Sequence, residues 1–317
     1  MVGMETAWKR RGALLLCVLS VLTFMTSGSV ATAAIPRAPE ARPAITAFRQ
    51  LGTWVDLYDY SLDPAASVRT MRAHGVGTLF LQTGRFNRIA DPSMVGRWIE
   101  RAHAIGMKVV GWYLPGYSEH LNNDVLRTLA IASYHSPSGQ RFDALAVDIE
   151  YQGASSSRAE FNHDITTHLR RVRQRVGSSY PVGAITPAPL GMELYPRYWR
   201  GFPWASIGRY ANVVLPMGYW SYRSDCPTNS LHCPYQYTRG NILRAGRYTA
   251  LPVHIIGGVG DSISAHGVVS FVRGARDTAA YGGSLYDYRT TSRSWWSTLR
   301  LLNLLDEGVR PQTVASR

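Results

Sequence analysis

Asp148 and Glu150 stand two residues apart at the end of a short apolar run, FDALAVDIEYQG, residues 142–153. Side chains of an extended strand alternate between faces, so residues two apart point the same way. The pair therefore shares one face, with Val147 and Ile149 on the other. Two acids in an apolar run are costly to bury unless they are hydrogen-bonded or used. Paired carboxylates can do proton transfer or nucleophilic attack at a glycosidic bond. The structural alternative is a salt-bridged or capping pair at a strand end.

The elements that would position this pair follow a rhythm. Apolar strand-like runs alternate with helix-like runs, and turn residues lie between them. Strands are expected at 52–58, 77–82, 108–114, within the central stretch 142–153, and at 181–186, 211–217, 252–257 and 283–288. Helices are expected at 64–74, 92–105, 120–134, 157–176, 239–248, 265–280 and 294–305, with an irregular one over 195–210 that Pro203 interrupts. Alternating units predict a parallel sheet. Eight of them in about 260 residues predict an α/β fold, a single-domain (β/α)8 TIM barrel. A doubly wound open sheet is the rival topology, and the chain lacks its Gly-rich phosphate loop.

In such a barrel the active site lies at the C-terminal ends of the strands. Strand one brings Asp56 there, with Tyr58 and Asp59 just beyond. Strand two brings Gln82, strand three Trp112 and Tyr113, and strand four Asp148 and Glu150. Glu193 falls in the loop after strand five. Strand six brings Met217, Tyr219 and Trp220, and strand eight Tyr286 and Asp287. Asp261 follows strand seven, where its ordinary reading is a helix N-cap. Carboxylates and flat aromatic rings at one rim suit carbohydrate chemistry. Trp112 facing the surrounding helices is the ordinary alternative for that residue.

Other chemistries have weaker support. No G-x-S-x-G elbow is present, which argues against a serine hydrolase. The nine histidines form no H-x-x-x-H or H-E-x-x-H pair, and no motif for a metal or cofactor is found.

The first residues read as a targeting segment. Lys9, Arg10 and Arg11 precede an apolar run over 12–24, and Ala31-Thr32-Ala33 fits a cleavage site. Residues 1–33 are thus expected to be a signal peptide, 34–47 a Pro- and Ala-rich leader, 48–310 the barrel and 311–317 a tail. An uncleaved anchor is the alternative, although the apolar run is shorter than the roughly 20 residues of a membrane span. Export implies an oxidising environment, so Cys226 and Cys233, in CPTNSLHC, are expected to form a local disulfide. The formal charge is +13, and removing Lys9, Arg10, Arg11 and Glu5 with the leader leaves about +11. That balance favours anionic cell-wall polymers as partners. Nucleic acid is disfavoured, since no recognition motif accompanies the charge.

The central stretch resembles the strand-four signature D-G-x-D-x-D-x-E of family 18 glycosidases, the chitinase-like enzymes. Asp143, Asp148 and Glu150 match its first Asp, last Asp and Glu, while Ala144 replaces the Gly and Ala146 the middle Asp. Met217-Gly218-Tyr219 is similar to the M-x-Y of the same family. The resemblance implies that Glu150 protonates the glycosidic oxygen. Asp148 would orient the substrate acetamido group, which acts as nucleophile, and Tyr219 would support it. Family 25 lysozymes are also similar, with an Asp on strand one, here Asp56, and a D-x-E ending strand four. That likeness keeps open a carboxylate nucleophile in place of substrate assistance.

Together these readings predict a secreted glycoside hydrolase acting on an amino-sugar polysaccharide, peptidoglycan or chitin-like. Its catalytic residues are expected to be Glu150, Asp148 and Asp56. Tyr219, Trp112, Tyr58, Gln82, Met217, Trp220 and Asp287 are the expected substrate-binding residues. The loss of the middle Asp leaves a second class open, a glycan-binding or cell-wall-associated protein on a degenerate barrel.

Overall fold

The structure, a computed structural model, describes residues 44–150, 157–222 and 232–305. The expected signal peptide and C-terminal tail lie outside these residues, as does Cys226 and with it the expected pairing to Cys233.

The described chain builds a sheet of nine strands, eight of them parallel. They are β1 (Gln50–Val55), β2 (Thr78–Arg85), β4 (Lys108–Leu114), β5 (Ala144–Asp148), β6 (Val182–Pro187), β7 (Val213–Met217), β8 (His254–Val259) and β9 (Gly282–Tyr286). A two-residue strand, β3 (Arg88–Ile89), folds back antiparallel on β2. β1 pairs with both β2 and β9, which closes the sheet into a barrel. Around it stand α1 (Pro64–Ala73), α2 (Pro92–His103), α3 (Leu121–Ser133), α4 (Arg158–Val176), α5 (Pro189–Leu194), α6 (Trp204–Tyr210), α7 (His232–Thr249), α8 (Ala265–Asp277) and α9 (Trp296–Leu299). The α/β barrel read from the sequence is thus the fold observed. No helix among the described residues is long and apolar enough to cross a membrane.

Local chemistry sets the helix starts. Asp63 and Asp91 accept N-terminal backbone N–H bonds at the heads of α1 and α2, each followed by a proline in the first turn. Ser157 and Glu160 form a capping box on α4, which ends at Gly177 with φ 74°. The cap of α8 is Ser264; the expected cap, Asp261, instead sits in a short 3₁₀ turn and accepts a bond from Ser262 Oγ. α7 begins at His232, earlier than its sequence pattern suggests.

Alternation along the strands separates two apolar layers. Leu145, Val147 and Ile149 face outward into the core shared with the helices, whereas Ala144 and Ala146 face the barrel interior. The interior holds large rings. Trp54 stacks on Phe80 at 4.2 Å and meets Trp112 edge-on at 5.7 Å. Each such ring takes about 150–250 Å² out of water, at most about 4–6 kcal/mol. Small residues opposite make the room: Ala146 pairs in register with Trp112 on one side and Gly183 on the other. A Cβ at Gly183 would lie 2.8 Å from the Phe48 ring. Phe48 belongs to a 3₁₀ turn, Thr46–Phe48, that plugs the N-terminal end of the barrel, so the expected leader over 34–47 ends before Thr46.

Three polar side chains of the interior, Trp54, Ser284 and His254, are joined in one chain. Trp54 Nε1–H donates to Ser284 Oγ at 2.7 Å, and Ser284 Oγ lies 3.0 Å from His254 Nε2. His254 Nδ1 faces the Phe48 carbonyl at 2.9 Å. The carbonyl can only accept, so Nδ1 carries the proton and Nε2 accepts from Ser284. Burial lowers the His254 pKa to about 4, which keeps the ring neutral in this chain of bonds.

Candidate active site

Asp148 ends β5 on the inward face, and Glu150 follows in the same phase at the mouth of the barrel. Their neighbours Val147 and Ile149 lie in the outer core, which fixes the phase of the pair. Asp148 is buried, and its Oδ1 has no hydrogen-bond partner. Burial first, and then the Glu150 carboxylate, push the Asp148 pKa well above the usual carboxylate range. Arg85 acts in the opposite direction. Asp148 thus keeps a proton at a pH where an ordinary aspartate has lost it.

Tyr219, just beyond β7, is drawn to the same place. Burial, followed by the charges of Asp148 and Glu150, raises its phenol well above the usual range. Its ring lies 6.2 Å from that of Tyr286 and 5.9 Å from that of Tyr222. Met217, at the end of β7, packs partly buried against the interior cluster.

A second group of acids sits across the seam between β1 and β9. Asp56 accepts from Tyr58 N–H at 2.7 Å and, on its other oxygen, from Tyr286 O–H at 2.8 Å. Asp59 is buried and faces Arg289 at 3.4 Å. Burial, then the charges of Asp287 and Asp56, raise its pKa to about 6. Asp287 Oδ1 accepts from the backbone N–H and the hydroxyl of Thr290. The acids expected at one site therefore fall into two sets: Asp148 with Glu150 on β5, and Asp56 with Asp59 and Asp287 at the β1–β9 seam.

The aromatic and amide residues divide likewise. Trp112 points into the barrel, in contact with Trp54, and not toward the helices. Tyr58 is 62% exposed on the rim. Gln82 is buried, and its carbonyl accepts from Leu57 N–H at 3.0 Å, which anchors the loop after β1. Trp220 departs from the expectation of a binding residue. It is fully buried in the outer core, 5.5 Å from Phe271, because the chain after Gly218 turns into a short 3₁₀ helix, Trp220–Tyr222. Glu193 also departs: it lies in α5 and pairs with Arg244 on the barrel's outer side. Asp143, matched to the first Asp of the signature, lies just before β5 and binds Lys108 and His103, each at 2.9 Å.

Arg85 was not legible as a site residue. β2 shifts register between Gln82 and Gly84, leaving Thr83 as an extra residue. Gln82 pairs with Trp112 and Arg85 with Leu114, both inward on β4, so the bulge turns Arg85 inward as well. Bulges beside active sites re-aim side chains in this way.

A cavity of about 290 Å³ opens off the centre of the mouth, lined by residues that include Phe86, Gly116, Tyr117 and His120. The acid pair is not in its lining. Asp124 supports its wall, accepting from Tyr113 O–H at 2.6 Å and Tyr117 N–H at 2.7 Å. Among the described residues no group of three or more His, Cys, Asp or Glu side chains is placed to hold a metal ion.

No protein-family model matches the chain, and no curated protein matches its sequence. Solved structures do match its fold. A chitinase from Chromobacterium violaceum superposes with a TM-score of 0.58 at 13% identity, over 81% of this chain and 99% of that one. A glycoside hydrolase family 18 N-acetylglucosaminidase from Paenibacillus barengoltzii gives 0.55 at 12% identity, over 80% and 99%. A chitinase-like agglutinin from Robinia pseudoacacia gives 0.56 at 14% identity, over 80% and 99%. The resemblance to the chitinase-like barrels thus holds at the level of the fold.

Proposed function

We propose that the chain is a glycoside hydrolase that cleaves an amino-sugar polymer, peptidoglycan or chitin-like, at the mouth of its barrel. The observation that carries this reading is the inward pair Asp148 and Glu150, with Asp148 buried and its Oδ1 unpartnered and with Tyr219 beside it. Neighbouring carboxylates disfavour simultaneous ionisation, so such a pair retains one proton above the pH at which a lone aspartate loses it. The proton of the pair passes from Asp148 to Glu150, and Glu150 gives it to the glycosidic oxygen as the bond to the anomeric carbon breaks, which leaves Asp148 charged. The acetamido oxygen of the same sugar attacks that carbon, oriented by Asp148 and Tyr219. Water then opens the cyclic intermediate while Glu150 takes back a proton, with net retention of configuration. A direct carboxylate nucleophile is less favoured, because both oxygens of Asp56 already accept bonds from Tyr58 and Tyr286. The N-terminal leader pattern supports export to the cell surface or beyond, where such polymers lie.

A second reading is a glycan-binding protein on the same barrel. It is favoured by Ala146, which removes the carboxylate below Asp148, and by the likeness to an agglutinin. The test is reducing-end release from peptidoglycan, chitin oligomers and a galactosamine-containing polymer. Release from one of them supports the hydrolase. Retention on a polymer with no release from any supports the binding protein.

A further inference from the structure

The sequence leaves open which amino-sugar polymer enters the mouth, and its rim carries a feature that discriminates between neutral and acidic ones. Tyr58, Arg85 and Arg88 form one contiguous patch where β1 ends and the β2–β3 hairpin begins. Arg88 places its guanidinium carbon 5.3 Å from the centre of the Tyr58 ring. Arg85 Nη1 lies 3.5 Å from the Tyr58 hydroxyl, and its guanidinium carbon lies 5.2 Å from the centre of the Phe86 ring. Tyr58 and Arg88 are exposed, and Arg85 is half-buried. Among the described residues neither arginine has a carboxylate within 4 Å, whereas Arg289 across the seam is paired with Asp59. The bulge in β2 aims Arg85 inward, and its charge reaches Asp148. Guanidinium groups recognise carboxylates with paired, planar hydrogen bonds, and an exposed phenol ring offers a face to a sugar.

We propose that Tyr58, Arg85 and Arg88 form a subsite for a sugar unit bearing a carboxylate, placed next to the unit held by the acid pair. The proposal rests on the glycan-cleaving reading of the same mouth and narrows its substrate to acidic amino-sugar polymers. Three other acids of the mouth are already engaged: Asp56 accepts from Tyr58 N–H and Tyr286 O–H, Asp59 faces Arg289, and Asp287 accepts from Thr290. Two sources supply the required chemistry: a lactyl ether on the amino sugar, its carboxylate free where a peptidoglycan strand has lost its stem peptide, or a uronic acid alternating with it.

The test measures binding and cleavage separately. Wild type, Arg88→Gln, Arg85→Lys and the Arg85→Gln/Arg88→Gln double variant are titrated with four glycans. These are peptidoglycan strands stripped of their stem peptides, a polymer alternating N-acetylhexosamine with uronic acid, and each of these with its carboxyl groups reduced to alcohols. Wild type is expected to bind one native polymer about tenfold or more tighter than its reduced form, the scale of one charge-assisted hydrogen bond. Which polymer does so names the source. The double variant is expected to bind native and reduced forms alike, Arg85→Lys to keep part of the preference, and added salt to erode it. Arg88→Gln alone, on the exposed hairpin, is expected to lose part of the preference with the fold intact. Equal wild-type binding to native and reduced forms of both polymers overturns the proposal, as does a folded double variant that still discriminates. Reducing-end release in the same samples reads the glycosidase separately. Discrimination without release overturns the hydrolase and keeps the subsite, and release without discrimination does the reverse.

Discussion

The hydroxyl of Tyr286, on the last strand of the barrel, donates to Asp56 Oδ2, beyond the first strand, at 2.8 Å. This bond crosses the seam where the sheet closes. It occupies an acid that the sequence suggested as a nucleophile, and it places Tyr286 between Asp56 and Tyr219. Tyr286→Phe should leave that carboxylate oxygen without its donor, at a cost of about 1–3 kcal/mol in folding stability. Urea denaturation measures it, and a variant as stable as wild type would show that the bond carries nothing.

Ser284 is the middle of the interior chain from Trp54 to His254. Ser284→Ala removes one hydroxyl and leaves two buried nitrogens unpaired. A loss on the order of 2–5 kcal/mol is expected, seen as a clear fall in Tm. Ser284→Cys retains a weak donor and should lose less. Equal stability of the alanine variant and wild type would mean that the two nitrogens find other partners.

Ala146 stands where the chitinase-like signature has an aspartate, and the structure gives a reason. The position faces an interior filled by Trp54, Trp112 and Phe80, with Trp112 in register beside it. Ala146→Asp should therefore lower stability by about 3–5 kcal/mol, the scale of an uncompensated buried charge, and should not raise glycan cleavage. A stable Ala146→Asp variant with higher activity would show that the mouth accommodates the full signature.

Asp59 gives a pH dependence with a definite sign. Its pKa rises from 3.8 to about 6 on folding, chiefly through burial and the charge of Asp287. Between those values the folded chain holds a proton that the unfolded chain has released. The contribution of this group to stability is full below about pH 4 and is lost as pH rises through about 6. The stability of wild type relative to Asp59→Asn should accordingly fall between pH 4 and pH 6.5. A difference that is flat or rising over this range would contradict the assignment.

Much of the barrel was legible because its strands keep a period of two and its helices begin at Pro, Ser and Asp signals. The inward phase of Asp148 and Glu150 could be read from Val147 and Ile149 alone. Trp220 could not be placed, because Gly218 ends the strand and the alternation with it. Arg85 was hidden by the extra residue Thr83, whose effect on phase exists only once β2 pairs with β4. Thr46 and Ala47 read as the end of a Pro- and Ala-rich leader, and only the packing of Phe48 against Phe80 and Gly183 gives this turn its place. Asp56 was read as a catalytic group from its strand-end position, yet tertiary bonds from Tyr58 and Tyr286 engage both its oxygens.

The proposed chemistry has Asp148 and Glu150, at the end of β5, break a glycosidic bond. The most direct measurement is reducing-end release by wild type and Glu150→Gln, side by side, on the amino-sugar polymer that wild type binds most tightly. Release by wild type, reduced at least about a hundredfold in the variant with its fold and glycan binding retained, is the expected result. Release by Glu150→Gln at the wild-type rate, or none by either protein, would contradict it.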